Sequence, residues 1–272
     1  MATITTSDGV RLNYLDDGDP GGVPVVLIAG FTAPATSWYL QWDALRAGGC
    51  RVLSLDRRSH GASEDPATGH TMARHGADLG DFLTALDLRD VVLVGGSMGA
   101  STIWSYLRQA GTGRVRGAVS VDQTPKMLNT EDWAYGFYGF TEANRDTYFA
   151  AGIPNTGHRP RRSLKTARRL LKALDLSPLD LVRGVKLPPT ALELLHDHAV
   201  ADWLPEVTGC DVPVLMVAAR DSEYWPAEHA TACAEANRNV RAAVIDHCGH
   251  AANIESPEEF NALLLEFTGG LR

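Results

Sequence analysis

Six short runs of almost uninterrupted apolar side chains punctuate the chain: Val25 to Ile28, Arg51 to Leu55, Val91 to Val94, Gly117 to Val121, Val214 to Val217 and Ala242 to Ile245. Runs this short and this apolar predict strands covered on both faces, as in a parallel sheet. The segments between most of them carry helical spacing. Alternation of that kind predicts a mostly parallel sheet with helices on both sides. Two further strands are predicted near Thr3 to Thr6 and Leu12 to Leu15, joined by a turn at Ser7-Asp8-Gly9.

The alternation breaks once. Residues 125–209 show helical periodicity and little strand character, and Asp211-Val212-Pro213 returns the chain to the sheet. They are read as a helical cap inserted into a core domain made of residues 1–124 and 210–272, with Pro188-Pro189 breaking helices inside the cap. No internal repeat or low-complexity segment interrupts this plan.

The 272 residues suffice for one well-buried domain with such an insertion. A formal net charge of -8 opposes any nucleic-acid backbone, so no nucleic-acid partner is expected. Met1 to Gly9 is polar and lacks the features of a secretion signal, and no apolar run approaches a membrane span; a cytoplasmic, non-membrane protein is expected. Cys50, Cys210, Cys233 and Cys248 lack metal-ligand or CxxC spacing and are read as reduced packing residues.

One strand runs straight into a catalytic pattern. Val91-Val92-Leu93-Val94 leads into Gly95-Gly96-Ser97-Met98-Gly99-Ala100 and then an apolar helix. A sharp strand-to-helix turn strains the serine backbone, needs small residues at 95 and 99, and aims the helix N-terminus at the reacting centre. Serine is a weak nucleophile without a base, so Ser97 requires a histidine and an acid further along. Asp221, after the strand Val214 to Val217, and His250, after the strand Ala242 to Ile245, both fall at the carboxyl edge of the sheet, where ligand crevices form.

With these residues in place, the chain resembles the α/β-hydrolase family over nearly its whole length. Ala29-Gly30-Phe31 stands where that family has His-Gly. Asp56-Arg57-Arg58-Ser59-His60-Gly61-Ala62-Ser63 is similar to its Asp-x-Arg-Gly-x-Gly-x-Ser segment, and Gly249-His250 with Glu255-Ser256-Pro257 to its terminal histidine motif. Ala29 and Ser59 depart from the pattern without removing a reacting group. The resemblance implies an eight-stranded α/β-hydrolase fold with a cap after the sixth strand. It also implies an oxyanion hole from the backbone N–H groups of Phe31 and Met98, with Gly30 permitting close approach. Some members carry the triad acid after the sixth strand, which keeps Asp122 open as the alternative to Asp221.

The resulting expectation is a serine hydrolase acting on a small or medium carboxylic ester or lactone, with neither cofactor nor metal. The alternatives are a cofactor-free haloperoxidase or perhydrolase, a carbon-carbon bond hydrolase, and a non-catalytic receptor on the same scaffold. Thr32, where perhydrolases tend to have proline, counts against the first. Asp246 and His247 are read as structural, and His196-x-His198 as too sparse for a metal. The basic run Arg159, Arg161, Arg162, Lys165, Arg168, Arg169 and Lys172 is read as a solvated helix face. Trp133, Tyr135, Phe137 and Tyr138, with Phe140, are the candidates for a substrate pocket under the cap.

Overall fold

A computed structural model describes residues 2–177 and 187–271. Eight strands form one sheet: β1 (Ala2–Thr5), β2 (Arg11–Gly18), β3 (Val23–Ile28), β4 (Cys50–Leu55), β5 (Val91–Gly96), β6 (Val115–Val121), β7 (Val214–Ala219) and β8 (Val240–Ile245). Their order is β1-β2-β4-β3-β5-β6-β7-β8; the β1–β2 and β2–β4 pairs are antiparallel and the rest parallel, so β2 alone runs against the others. Every predicted strand is present.

The helices are α1 (Trp42–Ala47), α2 (Met72–Ala85), α3 (Met98–Ala110), α4 (Leu164–Ala173), α5 (Pro189–Val200), α6 (Leu204–Thr208), α7 (Glu228–Ala236), α8 (Ala252–Glu255) and α9 (Pro257–Gly270). Alternate strand residues feed two cores. Val26, Ile28, Leu53 and Leu93 face Leu79, Phe82, Ile103 and Trp104 of α2 and α3; Val25, Leu27, Val52 and Val94 face Leu45, Phe260 and Leu264 of α1 and α9. This period of two explains the continuous apolar runs, since neither face meets water. The four cysteines are reduced and buried in these layers. Among the described residues no helix is long and apolar enough to cross a membrane.

The parallel registers align the strand ends. Ile28 pairs with Gly95, Gly96 with Val121, and Ala219 with Ile245. The loops that follow β3, β5, β6, β7 and β8 therefore gather along one edge.

The insertion departs from its predicted helical character. Residues 125–163 form turns and loops, with one short 3-10 turn at Glu142–Asn144, and α-helix begins only at Leu164. Gly139, Gly152 and Gly157 adopt left-handed backbone conformations there. The Asn129 side chain donates to the carbonyls of Phe137 and Phe140, tying the segment into a loop that a helix would not allow. Pro188 and Pro189 initiate α5, as cap and first residue, rather than breaking a helix. Residues 178–186 of the predicted cap lie outside the described residues.

Candidate active site

β5 ends in Gly96 and α3 begins at Met98, leaving Ser97 alone at the turn. Its backbone lies at φ 51°, ψ -127°, a costly conformation for a residue with a side chain. The turn is held by Ser97 N–H donating to the Val121 carbonyl (2.9 Å) and Ala100 N–H donating to the Ser97 carbonyl (2.8 Å). Gly99 is demanded by crowding: a Cβ there would sit 2.1 Å from the Ile28 carbonyl oxygen. At Gly30 a Cβ would lie 3.2 Å from the Ser97 Cβ, so the loop after β3 runs directly beside the serine. The N–H groups of Phe31 and Met98 flank this point and make no hydrogen bond among the described residues. Thr32, just beyond, is also left-handed (φ 58°), and its hydroxyl donates to the Phe31 carbonyl at 2.7 Å.

His250, on the loop after β8, lines the same cavity as Ser97, and its carboxylate partner is Asp122. Nδ1 of His250 lies 2.8 Å from Asp122 Oδ2. Asp122 is fully buried at the end of β6, where a left-handed turn (φ 42°) directs it along the sheet edge. It also accepts from the Ala219 N–H (2.8 Å) and the Ser222 hydroxyl (2.7 Å). Burial alone would raise its pKa, but the buried imidazole of His229, 4.0 Å away, and the hydrogen-bonded His250 hold the carboxyl well below the usual carboxylate range, so it stays ionised. This corrects the expectation for Asp221. Asp221 is exposed and engages His250's loop only through its backbone, whose N–H donates to the Cys248 carbonyl. Its neighbour Ser222 is the residue of that loop whose side chain turns inward.

Ser97 and His250 open into one cavity of about 500 Å³. Its walls include Gly30, Phe31 and Trp38 of the core, Tyr224 beside His250, and Ile153, Ala167, Leu170, Leu171, Leu174 and Leu176 of the cap. The lining is predominantly apolar, with Ser97, His250, Arg162, Glu223 and Asn253 among its polar members. A comparable depression lined by Asp16, Tyr39, Trp42 and Arg46 contains none of the predicted groups.

The family description alpha/beta hydrolase fold matches residues 23–257. The chain belongs to the α/β-hydrolase family. This α/β-hydrolase is similar to a non-heme chloroperoxidase from Streptomyces lividans, at 30% identity over 98% of this chain and 99% of the relative. Among solved structures it resembles a bromoperoxidase from Bacillus anthracis (TM-score 0.80, 26% identity, 98% of this chain and 100% of the other). An esterase from Exiguobacterium antarcticum shares the fold (TM-score 0.79, 21% identity, 97% and 98% coverage).

The α/β-hydrolase brings together Ser97, His250, Asp122, Phe31, Met98 and Gly30, and leaves the predicted aromatic pocket elsewhere. Trp133 is buried against Tyr135, with its indole N–H on the Lys126 carbonyl. Phe137 packs between Phe149 and Tyr224 within the core, and Tyr138 stacks on His158. None of the four lines the cavity. Sequence reasoning missed the cap wall itself: Ala167, Leu170, Leu171 and Leu174 follow i, i+3, i+4, i+7 spacing within the basic run. The cations occupy the remaining faces of α4 and its approach. Arg169 pairs with Glu258, Lys172 lies over the Tyr39 ring, and Arg162 bridges Glu223 and Glu255. Glu223 also accepts the His250 backbone N–H at 2.9 Å. Asp246 pairs with Arg220 at the surface, and His196 and His198 diverge, the first exposed and the second buried.

Proposed function

We propose that this protein is a serine-dependent acyl-transfer enzyme for small or medium carboxylic acids and esters, using hydrogen peroxide as well as water as acyl acceptor. The observation that carries the reading is the shared apolar cavity, with Ser97 and His250 on its wall and the buried carboxylate of Asp122 behind His250. His250, fixed by Asp122 through Nδ1, presents Nε2 as the base for the Ser97 hydroxyl. Ser97 Oγ attacks the carbonyl carbon. The N–H groups of Phe31 and Met98 receive the negative oxygen, and the alkoxide leaves with the proton from His250.

The acyl-enzyme is then cleaved by water to a carboxylic acid, or by hydrogen peroxide to a peracid. A peracid and a halide ion with one proton give the carboxylic acid and hypohalous acid, which accounts for halogenating activity without a metal. Full-length similarity to a non-heme chloroperoxidase favours the peroxide branch over plain ester hydrolysis. Thr32 is compatible with either acceptor, because it contributes its backbone and not a reacting group to the loop. Carbon-carbon bond cleavage has less support, since most of the cavity lining is apolar and its Arg162 and Glu223 are engaged with each other.

The test is hydrolysis of p-nitrophenyl esters from acetate to octanoate, alongside bromide-dependent halogenation in acetate with hydrogen peroxide, by wild type and Ser97→Ala. Both activities in wild type and their joint loss in the variant support the proposal. Ester turnover without halogenation reduces it to an esterase. Halogenation that survives Ser97→Ala overturns it.

A further inference from the structure

A buried cation lies behind the loop that carries Phe31. Arg57 is only 2% exposed, and its guanidinium has no carboxylate partner among the described residues. Its Nε donates to the Ala29 carbonyl (3.1 Å) and Nη2 to the Gly30 carbonyl (2.7 Å). The remaining contacts are Nη1 to Nδ1 of His75 (3.1 Å) and Nη2 to Nε2 of His60 (2.8 Å). Both imidazoles must be neutral to accept. Their own burial, then the charge of Arg57, pushes their pKa values well below the ordinary histidine value. His60 is further fixed as the Nδ1–H tautomer by the Arg58 carbonyl at 2.7 Å.

The Gly30 carbonyl and the Phe31 N–H belong to one peptide group. A trans peptide is planar, with its C=O and N–H pointing in opposite directions. A cation gripping the carbonyl from one side therefore turns the N–H to the other; that N–H makes no hydrogen bond among the described residues, and Gly30 runs directly beside Ser97. Withdrawal of electron density through the carbonyl also strengthens the N–H as a donor. Resting on the oxyanion role given to Phe31 above, we infer that Arg57 is a positioning residue for the oxyanion hole, holding and polarising the Gly30–Phe31 peptide from behind. His60 and His75 aim the guanidinium without neutralising it, which a carboxylate would do. The full positive charge then acts on the two carbonyls.

The experiment compares wild type, Arg57→Met and Arg57→Lys. Ester hydrolysis gives kcat and KM separately, and an alkyl boronate that forms a tetrahedral adduct on Ser97 gives affinity for the oxyanion state. Circular dichroism and melting temperature report folding, and a fluorophosphonate reports labelling of Ser97. Arg57→Met is expected to lower kcat about 10- to 100-fold with KM within about twofold, and to weaken the boronate in proportion. Arg57→Lys, which keeps the charge, is expected to recover part of both losses, and it carries the test if the Met variant does not fold. A folded variant with kcat and boronate affinity within twofold of wild type overturns the inference alone. So does a loss confined to KM or to melting temperature. A wild type that neither turns over esters nor labels at Ser97 overturns the underlying reading, and the inference with it.

Discussion

Replacing Asp122 by Asn separates the two carboxylates near His250. In the native site Oδ2 accepts both His250 Nδ1–H and the Ser222 hydroxyl, while Oδ1 accepts the Ala219 N–H. The asparagine oxygen is held at Oδ1, because the Ala219 N–H cannot accept. The amide NH2 then faces His250 and Ser222. Ser222 can reverse its hydroxyl and accept, but His250 must present a bare Nδ1 and so carry its proton on Nε2, where it cannot take one from Ser97. Losing the correct tautomer and the charge that stabilises imidazolium together costs about 10³- to 10⁴-fold in kcat, roughly 4 to 5.5 kcal/mol at the transition state. Asp221→Asn is expected to stay within about twofold, because that side chain is exposed and makes no bond to His250. The assay is kcat/KM for p-nitrophenyl acetate across pH 5 to 9 for both variants, with melting temperature as a folding control. A greater loss in Asp221→Asn than in Asp122→Asn would refute the assignment.

Gly99→Ala drives its methyl into the Ile28 carbonyl and should destabilise by about 2 to 4 kcal/mol in urea unfolding; a change below 1 kcal/mol would contradict the crowding at the elbow. Leu171→Trp and Leu174→Trp should fill the cap side of the cavity and shift ester preference toward acetate, with octanoate losing about tenfold more kcat/KM than acetate. His60, His75 and His198 are buried with pKa values pushed down, first by burial and then by Arg57, to about 3 for His198. The unfolded chain binds protons at these three sites below about pH 6.5 and the folded chain does not. Stability should therefore fall with acidification through this window, by up to about 4 kcal/mol per pH unit, and His198→Gln should make the slope shallower. Unfolding free energies that are flat between pH 6.5 and 5 would exclude this. Arg162→Ala removes the bridge from the cap to Glu223 and Glu255 and should raise KM several-fold and lower the melting temperature, since the nearly buried Glu255 loses its cation.

The strands, the serine elbow and the histidine loop were legible because each rests on local pattern: apolar runs buried on both faces, glycines where the backbone crowds, and a histidine just past a strand end. The acid was not. Asp122 and Asp221 end neighbouring strands, and only the turn at each end decides which carboxylate lies along the sheet edge. Asp122 takes a left-handed turn and comes to face His250, whereas at the end of β7 that inward position belongs to Ser222. The cap aromatics misled for a related reason: large rings signal burial but not what they are buried against. Phe137 stands behind Tyr224 and supports the pocket without entering it. The true lining was visible as a leucine stripe within α4, masked by the density of arginine and lysine around it.

The burial of the four cysteines acquires a chemical meaning if peroxide is a co-substrate. An enzyme that handles hydrogen peroxide and releases hypohalous acid is the first protein its products encounter. Oxidation of a thiol begins from its thiolate and requires contact with the oxidant. Burial pushes Cys233 and Cys248 up to about 12, and Cys50 and Cys210 are likewise enclosed. Cys248 stands two residues from His250, yet its sulfur is sealed beneath the loop. With peroxide as the acyl acceptor, as proposed, this burial would keep the four thiol sulfurs out of reach of the oxidant, and the protein would be expected to outlast many turnovers without a reductant.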